Sequence, residues 1–186
     1  MSRTLRILLI LISVAQLLFA AAFFVQWPPA INLWPLAGTT PLTYILLAAF
    51  FAAAAASTLW PIATGRDGAL AGVGLDYLII LAPLSALFFV LAARGQSGLI
   101  LYGVLLALGA VFGAWLFRWG RRQPLDTSLP MPPLVRGSFV VFVLALLFVS
   151  VRLFLRVPTL PWPLTPELSV IAGSMFLGAA AYFVYG

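Results

Sequence analysis

The chain has 186 residues, 64% of them apolar and 8% charged, with ten basic residues against four acidic ones and a net charge of +6. Its mean hydropathy of +1.16 leaves too little polar surface to cover a water-soluble globule, so lipid must be its solvent. All ten basic residues are Arg at the ends of apolar runs rather than along a basic stripe, which argues against nucleic acid as a partner. Cysteine and histidine are absent, which excludes disulfides, thiol redox pairs, Cys or His metal sites and imidazole-ligated haem.

Six runs are long enough to cross a hydrocarbon core of about 30 Å at a rise of about 1.5 Å per residue. They cover 7–25, 41–62, 69–93, 98–117, 137–157 and 166–186. None alternates with period two, and backbone amides in lipid must be satisfied within the segment, so each is a helix and not a barrel strand. The expected fold is all-α, a polytopic bundle of six transmembrane helices in a single domain spanning 1–186.

The first run follows Met1–Arg6 and contains Ala20-Ala21-Ala22, the outline of a secretory signal. Its length, and its equivalence to a later run described below, make it a retained span. Gln16, midway along it, is expected to hydrogen-bond a neighbouring helix. Trp34-Pro35-Leu36 and Thr40-Pro41 then lead into the second run, and Thr64-Gly65-Arg66-Asp67-Gly68 turns into the third.

The stretch from Asp67 to Asp76 resembles the acidic motif of membrane phosphatidyltransferases that use CDP-alcohols. The further aspartates one turn apart and the Arg soon after Asp-Gly are missing, so no metal cage can form there. Asp76 is still the sharpest candidate in the chain. It lies about 10 Å into the third span, where an unpaired carboxylate is costly. Gly72 and Gly74 admit another backbone nearby, and Pro83 loosens the helix further on. An ion pair with Arg118 or Arg136 is the structural expectation, a polar pocket the functional one.

Gly109 and Gly113 in the fourth run, and Ser174 with Gly178 in the sixth, are small residues four apart that let helices approach closely. Between the fourth and fifth runs lies one long loop, 120–136, too short for a domain. At the far end of the fifth run Arg152 and Arg156 should share a helix face and bridge to Glu167. There Thr165 can cap the next helix, Pro166 suits its first position, and Glu167 complements its positive end.

The phrase Trp162-Pro163-Leu164-Thr165-Pro166 repeats the earlier Trp-Pro turn. Behind it Leu168-Ser169-Val170-Ile171 and Phe176-Leu177-Gly178-Ala179-Ala180 align with Leu42-Thr43-Tyr44-Ile45 and Phe50-Phe51-Ala52-Ala53-Ala54. A helix, a Trp-Pro turn and a second helix are therefore written twice, the first and second runs answering to the fifth and sixth. The second copy ends level with Trp60, where Pro61 turns the first copy toward its third helix. That implies either an eight-helix parent or a genuine six-helix chain.

Seven Arg (3, 6, 66, 118, 121, 122 and 136) against three (94, 152 and 156) predict cytoplasmic termini, a cytoplasmic loop 120–136 and outward Trp-Pro turns. Trp27, Trp34 and Trp162 are then outer anchors, and Trp60, Trp119 and Tyr77 inner ones. The turn Pro161–Pro166 resembles one that recurs in multi-spanning bacterial membrane proteins of unassigned function. The likeness covers that turn and the start of the following helix, and it implies a location in a bacterial inner membrane without supplying an active site.

With four carboxylates split between the two faces, no two-metal centre is expected, and neither is catalysis or a cofactor. The expected role is a non-catalytic structural or accessory bundle in the lipid bilayer, alone, as a homo-oligomer or within a larger membrane complex. The alternative is a small permease using Asp76. Asp76, Arg152, Arg156, Glu167 and Gln16 are the candidate polar residues of either role.

Overall fold

The computed structural model describes residues 1–124 and 132–185. Asp126 and Gly186 lie outside the described residues. The fold is all-helical: α1 (Arg3–Phe24), α2 (Pro28–Leu33), α3 (Pro41–Thr64), α4 (Leu70–Ala93), α5 (Ile100–Gly120), α6 (Pro133–Phe154) and α7 (Pro166–Tyr185). Apart from the short α2, these provide six helices long and apolar enough to cross a membrane, the architecture of a multi-pass membrane protein.

Helix ends depart from the apolar runs for local reasons. α1 starts at Arg3, because the Ser2 hydroxyl accepts from the Leu5 amide and caps the helix. α2 was not expected; Pro28 and Pro29 occupy its first turn, where no amide donor is needed. α3 does not turn at Pro61 but runs on to Thr64. It closes at Gly65, whose φ of +69° permits its amide and that of Arg66 to reach the Pro61 carbonyl. α6 begins at Pro133, four residues ahead of the apolar run, again with proline in the first turn. It also ends earlier, at Phe154.

In lipid, helices gain nothing from burying apolar surface against each other, so association depends on close packing and hydrogen bonds. α4 supplies the main seam. A Cβ on Gly74 would collide with the backbone of Gly113 and Phe117, and one on Gly120 with Ala71, so α4 and α5 meet backbone to backbone. α4 also packs on α7, and α7 on α6. α1 packs on α3 through Phe19, Phe23, Tyr44 and Phe51, whose rings lie 5.9 to 6.0 Å apart. The small residues thus find their partners within the chain: Gly113 faces Gly74 and Tyr77, Gly109 faces Leu81, and Gly178 faces Asp76 and Ile80.

Consecutive spans alternate in direction. At one end the Met1 ammonium pairs with Asp67 at 2.6 Å, and the rings of Phe117 and Tyr185 meet at 5.3 Å. At the other, the Tyr102 hydroxyl donates to the Leu33 carbonyl (3.1 Å), and the Thr39 hydroxyl donates to the Pro163 carbonyl. Both Trp-Pro turns therefore lie at this second end, side by side.

Candidate functional site

The pairing scheme leaves a gap among the described helices. α3 holds to α1 but makes only slight contact with α4. Between the α1–α3 hairpin and the α4, α5 and α7 helices is a cavity of about 350 Å³. Ile12 and Gln16 line it from α1, and Phe50, Phe51, Ala53 and Ser57 from α3. Asp76, Tyr77 and Ile80 come from α4, Gly109 and Phe112 from α5, and Met175, Ala179 and Tyr182 from α7. The wall is overwhelmingly apolar and aromatic, with a few polar atoms converging on it, the usual composition of a small-molecule site.

Those polar atoms are not equivalent. Tyr77 is buried, and its hydroxyl shares a hydrogen bond with Thr58 (3.3 Å) and accepts one from the Gln16 amide (3.1 Å). This triad ties α4 to α3 and α1 across the end of the gap. Gln16 thus bonds a neighbouring helix as expected, but Tyr77 is an interior residue and not an interfacial anchor. Sequence reasoning missed its role and that of Thr58; the one available signal was a phenol adjacent to an intramembrane carboxylate.

Asp76 makes no ion pair and no hydrogen bond among the described residues. The expected bridge to Arg118 or Arg136 is not formed. Residues two apart on a helix point about 200° apart at 3.6 residues per turn, and it is Leu78 that shares a shallow surface concavity with Arg118, Arg121 and Arg122. Asp76 instead turns to α7, where a Cβ on Gly178 would lie 2.5 Å from its Oδ1. Gly178, which read as a generic helix-packing residue, is the space the carboxyl group occupies.

The second expected cluster also dissolves. Arg156 lies beyond the end of α6 with a left-handed φ of +58°, so it does not share a helical face with Arg152. Arg152 turns back onto its own loop, donating to the Pro158 carbonyl (2.9 Å) and to the Thr159 hydroxyl (3.3 Å), with its guanidinium 5.5 Å from the Phe148 ring. Neither Arg pairs with Glu167 among the described residues. The predicted cap does form: the Thr165 hydroxyl accepts from the Leu168 amide (3.2 Å), Pro166 opens α7, and Glu167 sits in its first turn.

Four buried polar atoms have no partner among the described residues: the indole nitrogens of Trp34 and Trp162 and the hydroxyls of Thr40 and Thr43. All belong to the two Trp-Pro turns or to the helix start behind the first. No group of three or more Asp or Glu that could hold a metal occurs among the described residues. Comparison with protein-family models, curated proteins and solved structures finds no match to this chain.

Proposed function

We propose that this chain is a non-catalytic membrane protein that takes a small, largely apolar guest into the cavity between the α1–α3 hairpin and the α4–α5–α7 core, as a small permease does. The observation that carries this reading is the cavity itself. Protein interiors close-pack, and a gap of about 350 Å³ walled by five helices, with Asp76 and the Gln16–Tyr77–Thr58 triad at its edge, is far larger than ordinary packing defects. Membrane permeases likewise place their sites between helical units, inside the bilayer.

A test is titration of the purified protein, in phosphatidylcholine nanodiscs, with neopentylbenzene, read by Trp fluorescence because Trp34 borders the cavity. Saturable binding of one equivalent is expected, weakened about tenfold or more by Ala179→Phe, which fills the space. A signal no different from that of empty nanodiscs would refute the reading.

The accessory-subunit reading has one observation in its favour. Among the described residues α6 packs chiefly on α7, and within α6 Ser150 and Leu153 are the buried residues. Lipid covers such a surface as well as a partner or a second copy would. For orientation, we infer cytoplasmic termini from the bias of Arg residues, and a bacterial inner membrane from the resemblance carried by the Pro161–Pro166 turn. A reporter that fluoresces only in the cytoplasm should stay dark when fused after Thr39 and light up at the C-terminus; the opposite pattern inverts the topology.

A further inference from the structure

Among the described residues, the cavity's wall carries a single carboxyl group and no Arg. The other polar side chains at its edge are largely committed: Gln16 and Tyr77 to one another, and Ser57 to the carbonyl of Ala53 in its own helix (2.8 Å). Asp76, the one acidic group among the described lining residues, has nothing bonded to it, as is also true of the Trp34 indole nitrogen, although Asp76 sits about two helical turns inside a span. A carboxylate there is costly until a cation meets it. Around it the wall is rich in rings, with Phe50, Phe51, Phe112 and Tyr182 contributed by three different helices. Aromatic faces attract desolvated cations, above all substituted ammonium groups that lack a tight water shell.

These features select by chemistry. An anion would meet a carboxylate with no compensating Arg. A strongly hydrated polar solute would lose its water to an apolar wall that offers few replacement bonds. An apolar body carrying one positive charge meets a counter-ion and aromatic faces together.

We propose that the cavity's guest is a lipophilic cation, a substituted ammonium compound whose charged head lies at Asp76 and whose apolar body lies among Phe50, Phe51, Phe112 and Tyr182. This rests on the cavity being a binding site at all, as proposed above, and adds the charge of what binds. Gly178 supports the assignment, since its missing side chain leaves Asp76 room at the cavity edge instead of forcing it toward the surface.

The experiment compares three probes of similar shape in nanodiscs of zwitterionic lipid: benzyltrimethylammonium, its uncharged isostere neopentylbenzene, and the anion phenylmethanesulfonate. In the wild-type protein the ammonium should bind about tenfold more tightly than the uncharged isostere, and the sulfonate should not bind. Asp76→Asn should abolish that preference, and saturable neopentylbenzene binding by the same variant, at whatever affinity, shows that the cavity has survived the substitution. Asp76→Glu should retain much of the preference. Equal binding of the ammonium and its isostere in the wild type, or a preference that survives Asp76→Asn, overturns the cation assignment and leaves the cavity reading intact. If none of the probes binds, both fall. Should Asp76→Asn fail to fold, the wild-type ranking and Asp76→Glu decide between the same outcomes.

Discussion

The two hairpins that carry the Trp-Pro turns are built from aligned sequence, yet they are held together by different means. In the α6–α7 hairpin, hydroxyls cross between helices: Ser150 donates to the Gly173 carbonyl and Ser169 to the Leu153 carbonyl, each at 2.8 Å. In the α1–α3 hairpin, Thr43 aligns with Ser169, but its hydroxyl has no partner among the described residues, and interlocked rings do the holding. Gly173 aligns with Leu47, a large residue only 3% exposed. The consequence extends beyond the hairpins. α7, with Gly173 toward α6 and Gly178 toward α4, is drawn tightly between its neighbours, whereas α3 is anchored by bulky side chains on one side and stands off from α4 on the other. The cavity is the space that this difference leaves.

Exchanging residues between the hairpins should expose the asymmetry. Leu47→Ala removes a buried side chain from the ring-packed hairpin and is expected to cost the most, about 2 to 4 kcal/mol in unfolding from detergent micelles. Gly173→Leu gives the second hairpin the residue of the first. A Cβ at that position already lies 3.3 Å from the Phe154 ring, so overpacking by about 1 to 3 kcal/mol is expected. A neutral outcome would mean that α6 is not pressed against α7 in the membrane.

The smallest effects differ in sign. Ser169→Ala deletes an interhelical hydrogen bond worth about 0.6 kcal/mol, by the average measured between membrane helices. Thr43→Val replaces an unpartnered buried hydroxyl with a methyl of similar shape and should be neutral or slightly stabilising. Equal losses at the two aligned positions would show that Thr43 has a partner in the membrane, through an ordered water for instance.

How far the sequence revealed this arrangement depends on the range of the interaction concerned. Membrane spans follow from summed hydropathy, and the close seams from Gly74, Gly113 and Gly178, since small residues have few other uses in a lipid-embedded helix. Caps such as Thr165 are local and were equally visible. Arg152 and Arg156 misled because their shared face assumed a helix that stops at Phe154, and a left-handed backbone at an Arg leaves no mark in composition. Pro28-Pro29 concealed α2 by the same ambiguity that lets proline either break a helix or start one. Asp76 stood out at once, but its surroundings did not. A cavity is what several helices jointly fail to fill, and no spacing within one helix encodes it.

The most direct test compares two neighbouring residues of α7. Gly178 is pressed against Asp76 and Ile80 on α4, whereas Ala179 borders the cavity. The same side chain placed at each should meet a wall in one case and empty space in the other. Measured as unfolding free energy in identical micelles, Gly178→Leu is expected to destabilise by about 2 to 3 kcal/mol and Ala179→Leu to be neutral or stabilising. Comparable destabilisation by both, or a larger penalty at Ala179, would mean that α7 is packed on both sides and that the cavity does not exist.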